Sequence, residues 1–238
     1  TTRKGYVSGA ADLADTVKGC FLGQAGDWCT TPAQSINYVS CHDNMTLLDR
    51  ITHSTPGVSE EERIRMNNLS AAIYMTAQGI PFLQAGEEML RTKIDASGGF
   101  VENSYNSPDS VNSIKWDTLE DETYQNVYNY YKGLIAFRKA HAALRLTNAD
   151  DVNANITSVD GLDENVLAFR INGGVNGETS NGIFVIFNPN STETSVTLPD
   201  GAWDVCVNAD HAGTDALTTV AGFVSVEPIS AMVLVKKK

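Results

Sequence analysis

Apolar residues follow two different spacings along this chain, and the change comes near residue 145. Upstream, helical spacing alternates with short continuous apolar runs. Residues 10–22 read as a helix, with Asp12 and Asp15 early and Gly23 as a stop. Residues 36–41, Ile-Asn-Tyr-Val-Ser-Cys, read as a strand. Ser59-Glu60-Glu61-Glu62 has the form of a capping box, with acid placed at the positive end of the helix dipole. Met66, Leu69, Ile73 and Ala77 continue that helix as one apolar stripe fit to cover a sheet. A second strand spans residues 80–84, where Pro81 is tolerable only near a strand start or at an edge. A last helix covers residues 120–141, with Val127, Tyr131, Leu134 and Arg138 on one side and Tyr130 and Phe137 beside them.

Downstream the period shortens to that of strands. Runs at 165–171, 182–187, 194–198, 203–207, 223–226 and 231–235 are separated by turn signals: Asn-Gly at 172–173 and 181–182, Asp-Gly at 160–161 and 200–201. Strand–helix–strand–helix with polar strand ends signals a parallel α/β unit, and regular strands without helices signal a β-sandwich. The expected fold class is α/β plus all-β, with an upstream unit over residues 1–145 and an antiparallel β-sandwich over 146–238. Trp203, Phe184, Phe187 and Phe223 lie in the sandwich strands and are expected in its core, which makes the sandwich a scaffold. Within the upstream unit, residues 91–116 form a polar segment without period. At roughly 25 residues it exceeds an ordinary loop and is expected to be functional or disordered.

Charge narrows the partners. With 29 acidic and 17 basic residues, a net of −12, the chain is a poor match for nucleic acid, whose phosphates reward clustered cations. Its one basic cluster, Lys236-Lys237-Lys238, is expected to be a solvated tail. No apolar run approaches the 18 or so residues of a membrane span. Cys20, Cys29, Cys41 and Cys206 lack paired spacing and read as small buried residues. His42, His53, His141 and His211 are scattered, so no protein-built metal site is expected. The opening Thr1-Thr2-Arg3-Lys4 has no initiator Met or leader and reads as a cut inside a longer protein.

The chemistry sits at the strand ends. In barrels of parallel strands, reactive side chains occupy the C-terminal tips. The first run ends in His42-Asp43-Asn44 and the second leads into Gly86-Glu87-Glu88, which suggests one shared face. A carboxylate at such a tip can be a base, a nucleophile or a clamp on hydroxyls or developing positive charge, and the imidazole beside it can donate to a hydroxyl or phosphate. The plain alternative is an Asx-turn with a packed histidine. A metal phosphohydrolase built on a His-Asp dipeptide would need further helical ligands, which the sequence lacks.

These words also carry a resemblance. Residues 36–44, Ile-Asn-Tyr-Val-Ser-Cys-His-Asp-Asn, resemble the fourth conserved motif of the α-amylase superfamily, at the end of the seventh barrel strand. Met45-Thr46-Leu47-Leu48-Asp49 narrows the likeness to debranching enzymes. Residues 79–88 with Arg91-Thr92-Lys93, then residues 104–112 with Trp116, are similar to the eighth strand and the following loop of type I pullulanases. The resemblance implies the C-terminal part of a (β/α)8 TIM barrel, about strands 7 and 8 with flanking helices, followed by the sandwich. It implies that Asp43 is the transition-state stabiliser and that His42 hydrogen-bonds the glucose at the cleavage point. It places Asn44 against the substrate and Glu87, Arg91, Asn106 and Asp109 at the cleft, these four each open between wall-building and direct contact; Tyr105 and Trp116 either stack on sugar or anchor the loop.

The departures matter as much. A retaining glycosidase uses a nucleophile and an acid/base carboxylate about 5 Å apart. In this family both belong to motifs that would precede residue 1. The expectation is therefore a piece of an enzyme that hydrolyses α-1,6-glucosidic branch points in pullulan, starch or glycogen with retention, inactive by itself. No cofactor is expected, calcium in the whole enzyme is left unassigned, and location stays open between secreted and cytoplasmic. Two bare barrel strands would also drive self-association through the residue 5–90 region. The rival readings are a carbohydrate-binding or purely structural module, and a small complete enzyme using Asp43 with Glu87 or Glu88.

Overall fold

The structure, a computed structural model, describes residues 2–23 and 29–237; Thr1 and Lys238, named above, lie outside them. Helix α1 (Ala14–Phe21) follows a 3-10 turn at Ala11–Leu13 and ends before Gly23, whose φ of +71° favours glycine. Strand β1 (Ile36–Asn37) is two residues long, shorter than the run that spells it. Helices α2 (Leu47–Ser54) and α3 (Glu60–Thr76) come next, and β2 (Ile80–Pro81) then pairs with β1 in parallel. The expected strands over 36–41 and 80–84 are thus cut short. A strand persists only where a neighbour takes its hydrogen bonds, and the two segments separate after Phe82 N–H donates to Asn37 O at 2.9 Å.

The helices form for the reasons their sequences give. The Ser59 hydroxyl accepts from Glu62 N–H at 3.2 Å while Glu62 Oε2 accepts from Ser59 N–H at 3.2 Å, so the capping box is complete. Of the apolar stripe, Met66, Leu69 and Ala77 are buried and Ile73 is half-buried. The polar segment at 91–116 is ordered by a short helix, α4 (Asp109–Asn112), and a 3-10 turn at Trp116–Glu120. Helix α5 (Glu122–Ala140) buries Val127, Tyr130, Tyr131, Leu134, Phe137 and Arg138, the set its spacing selects. Helix α6 (Ala149–Asn155) carries no apolar stripe, burying only Val152, and rests on its Asn148 cap, which accepts from Asp151 N–H at 2.7 Å.

The remaining strands are β3 (Ile156–Ser158), β4 (Leu167–Asn172), β5 (Gly182–Asn188), β6 (Thr194–Thr197), β7 (Trp203–Val207), β8 (Thr218–Val220), β9 (Phe223–Val226) and β10 (Ser230–Lys236). Six of them make one antiparallel sheet in the order β3-β4-β5-β10-β7-β8, and β6 pairs with β9 in a second. This is an all-β domain with antiparallel sheets. β3 and β8 escape the sequence reading because edge strands of three residues, rich in Thr and Ser, carry too little alternation.

The large sheet is covered on both faces. Phe184, Ile186, Trp203 and Leu234 pack with Val196 and Val226 of the small sheet. Phe169, Ile171, Val185 and Val233 face the other way and share a core with Phe21, Leu69, Tyr131 and Phe137. The apolar stripe of α3 therefore does cover a sheet, namely the antiparallel one, through β5 and β10.

Three expectations change. Phe223 is not in the core; it is 67% exposed on β9, while Trp203, Phe184 and Phe187 are buried. The basic tail is structured where it is described: Lys236 ends β10 with its ammonium 5.7 Å from the Trp203 ring centre, and Lys237 Nζ lies 3.9 Å from Asp204. Of the cysteines, all free, Cys29 and Cys206 are buried, Cys41 is half-buried and Cys20 is exposed.

Candidate functional site

Beyond β1, which ends at Asn37, the chain leaves its sheet and presents two side chains to solvent. His42 and Asp43 are 87% and 70% exposed, with Nε2 and Oδ2 3.3 Å apart. Asn44, the third residue of the tip, is exposed and takes a φ of +64°, a conformation that asparagine tolerates better than most. The tip then enters α2, where the Thr46 hydroxyl caps Asp49 N–H at 3.2 Å.

Beneath the tip lie two buried carboxylates and an ammonium. Asp49 Oδ2 accepts from Lys93 N–H at 2.7 Å, and Lys93 Nζ donates to the His42 carbonyl at 3.3 Å. Asp49 and Lys93 are 1% and 3% exposed. Burial pushes the Asp49 carboxyl up, opposed by the Lys93 N–H, Thr46 and the Lys93 charge. Burial likewise pushes Lys93 down, with Arg91 acting in the same sense and Asp49 and Asp43 against it.

Glu87 is the second carboxylate, and its surroundings match the wall-building alternative. Its Oε2 accepts from Ser40 Oγ at 2.6 Å, and its Oε1 accepts from the hydroxyls of Tyr74 at 2.9 Å and Tyr131 at 3.3 Å. Desolvation raises its pKa, against the pull of those three hydroxyls. With 5% exposure, Glu87 faces protein rather than a sugar. It ties the residue before Cys41-His42-Asp43 to α3 and α5.

Arg91 is likewise committed to protein. Its guanidinium donates to the Ala85 carbonyl at 3.1 Å and to the Asn112 carbonyl, and its side chain packs where a Cβ on Gly86 would stand. Asn112 Nδ2 in turn donates to the Ser104 and Ser107 carbonyls at 2.6 and 3.1 Å. This braces the loop that carries Tyr105, Asn106 and Asp109, all exposed. Tyr105 and Trp116 are 83% and 65% exposed. The structure thus brings His42 and Asp43 together, leaves Asn44, Asn106 and Asp109 open to solvent, and turns Glu87 and Arg91 inward. Sequence reasoning assigned nothing to Ser40, Asp49, Tyr74, Lys93 and Tyr131. Asp49 and Lys93 lay inside quoted motifs, but spacing gives no sign that they are buried against each other.

Two apolar grooves flank the β1–β2 pair. One, of about 790 Å³, is lined by Pro32, Met75, Ile80, Pro81, Ile135 and Leu146 beside β2. The other, of about 440 Å³, is lined by Tyr6, Val17, Val39, Leu47, Ile51 and Ile73. Ile36, Tyr38, Ile80 and Phe82 are exposed along the pair. Among the described residues, no three His, Cys, Asp or Glu side chains converge as a metal site.

Comparison with known proteins points one way. A family model described as the pullulanase all-beta domain matches residues 152–211. A Bacillus subtilis pullulanase is 36% identical over 173 residues, 70% of this chain and 23% of its own length. The pullulanase structure from Bacillus acidopullulyticus superposes with a TM-score of 0.92 at 38% identity, covering 99% of this chain and 28% of that one. An Anoxybacillus sp. LM18-11 pullulanase complexed with maltotetraose gives a TM-score of 0.86 at 33% identity over 99% of this chain and 32% of that one. The chain thus spans from 23% to 32% of the length of these relatives. The likeness to type I pullulanases, first carried by the strand-end motifs, is borne out in sequence and in fold.

Proposed function

We propose that this chain, whose relatives are pullulanases, is the C-terminal region of a debranching glycoside hydrolase that cleaves α-1,6-glucosidic linkages in branched α-glucans with retention. Residues 1–145 supply about the last two strands of a (β/α)8 barrel with their helices, and residues 146–238 form the β-sandwich behind it. The observation that carries this reading is the His42–Asp43 pair, exposed in the loop that follows a parallel strand and braced from below.

Each group then has a task. As the glycosidic bond breaks, positive charge grows on the sugar ring, and the Asp43 carboxylate stabilises it without attacking. His42 donates to hydroxyls of the same glucose, in bonds that tighten as the ring flattens. Asn44, Asn106 and Asp109 border the cleft and contact the glucan. Glu87 and Arg91 shape the wall without touching it, since protein groups occupy them. The nucleophile and the acid/base come from chain outside this sequence, so the 238 residues alone do not turn over substrate.

Bare edges on β1 and β2 and the two apolar grooves fit the same account, as surfaces the rest of the barrel covers. An isolated chain of these residues instead covers them with a second copy, and elution as a compact monomer in size-exclusion chromatography would overturn that point. The central test is reducing-sugar release from pullulan. The full-length enzyme should be active, the 238-residue chain inactive, and Asp43→Asn in the full-length enzyme should lose about a thousandfold in kcat. Turnover by the short chain would sink the reading, because a complete catalytic set would then lie within it.

A further inference from the structure

The His42–Asp43 tip has little to hold it from outside. Both side chains stand in solvent, so its position depends on what grips its backbone. One grip is Ser40 on Glu87, before the tip. The other reaches the tip itself: the Lys93 ammonium on the His42 carbonyl, with the Lys93 backbone fixed to Asp49 at the start of α2.

We propose that Lys93, its backbone held by Asp49, is a positioning residue that holds the His42–Asp43 tip in its reactive geometry. The inference rests on the reading of Asp43 as the carboxylate that meets the substrate. Three observations support it. First, Lys93 comes from the loop after β2 and Asp49 from α2, so the grip spans both strand ends and ties the tip to the neighbouring helix. Second, Lys93 is 3% exposed, and burying an ammonium against a backbone carbonyl is an expensive way to fix a loop. A neutral amide would fix the carbonyl at lower cost, so the charge has a use beyond structure. Third, the Asp49 carboxylate that holds the Lys93 backbone is itself 1% exposed, so the support beneath the tip is enclosed by protein.

Losing such a support displaces a group that must sit within a fraction of an ångström of its working place, and displacements of that kind cost about a hundredfold in rate. The test is kcat and KM for an α-1,6-linked oligosaccharide with the full-length enzyme and its Lys93→Met, Lys93→Arg and Asp43→Asn variants. Lys93→Met keeps the length and apolar stem of the side chain, so it should fold with little change in melting temperature. Its kcat should fall by about a hundredfold while KM stays nearly constant, the pattern of an interaction used in the transition state. Lys93→Arg, which keeps charge and donors, should recover a large part of the loss. If Lys93→Met fails to fold, Lys93→Gln keeps a donor without the charge and is read in the same way. A lowered melting temperature with unchanged kcat per folded molecule overturns the proposal and leaves Lys93 a structural brace. Failure of the underlying reading looks different: Asp43→Asn would then retain the wild-type rate.

Discussion

Strand β5 and strand β1 differ by more than length. β5 has neighbours on both edges, β4 and β10, and all seven of its residues are buried. β1 has one neighbour and leaves Ile36 57% exposed, with Tyr38 and Val39 beyond it also open. Both segments are apolar and rich in strand formers. The contrast teaches that strand content in the sequence and strand formation in the chain are separate things. The antiparallel sheet finds its partners within these residues, whereas the parallel pair presents its hydrogen-bonding edges and apolar face outward, which suits a part of a larger sheet.

The largest effect that sharpens this contrast comes from paired aromatic truncations. Phe169 is fully buried and stacks on Phe21 with ring centres 3.9 Å apart, joining β4 to α1. Phe169→Ala should cost about 3–5 kcal/mol in denaturant unfolding. Phe82, on the continuation of β2, is 44% exposed and touches Tyr38 edge-on at 6.0 Å. In the isolated chain Phe82→Ala should cost well under 1 kcal/mol, as an ordinary surface change does. Equal losses would show that the β1–β2 pair is already packed as a core.

A smaller effect probes the seam between the two regions. Arg138 on α5 is buried and donates to the Met75, Ala77 and Gly79 carbonyls at 2.9, 2.7 and 2.7 Å, where α3 ends and β2 begins. Burial pushes its pKa down to about 10, with Arg145 adding to the shift. Arg138→Met strips those carbonyls of their donors and should cost about 2–3 kcal/mol. Loss should be seen first as faster amide exchange at residues 77–82, with β4, β5 and β10 still protected. Uniform loss of protection would mean that the parallel pair and the sheet unfold as one unit.

The smallest effect is a pair of opposed pH dependences. Glu87, under the tip, is held above its ordinary 4.5 by burial. The folded protein therefore takes up this proton before the unfolded chain does, and the contribution of Glu87 to stability rises as pH falls through its folded pKa toward 4.5. Glu178 reaches across to the end of α5: its Oε1 lies 3.2 Å from His141 Nδ1 and accepts from Ser180 N–H at 2.9 Å, and its Oε2 accepts from Ala143 N–H at 3.3 Å. Burial opposes its ionisation, but these partners outweigh it and hold the carboxyl below 4.5. Its stabilisation is present above that value and lost as pH falls through the folded pKa. Melting curves between about pH 6 and pH 3 should show Glu87→Gln and Glu178→Gln changing the acid-side slope in opposite directions. A common sign would refute the assignment of one of them.

Much of this was legible before any fold was known. Ser59 and Glu62 specify the start of α3 because a capping box is local, and six of the eight downstream strands follow from alternation and turn residues. The motif around His42 and Asp43 was legible because its order of residue types is distinctive, and the structure leaves both side chains exposed. Glu87 and Arg91 were legible as residues of a strand-end loop but not as inward-facing ones. Their direction depends on Ser40, Tyr74, Tyr131 and Asn112, which reach them from other parts of the chain. Phe223 misled for a related reason: it alternates correctly along β9, but the face it occupies is covered by nothing within these residues.

Local spacing by itself determined the helices, the antiparallel strands and the exposed pair at the end of β1, since each depends on residues a few positions apart. Tertiary structure alone decided that the large sheet lies between helices and a second sheet, and that Lys93 grips the carbonyl of His42 from 51 residues away. It also decided that Glu87 is interior. The physical reason is one of range: backbone propensity and capping act within a turn or two, whereas burial and charge pairing are settled only when distant segments meet.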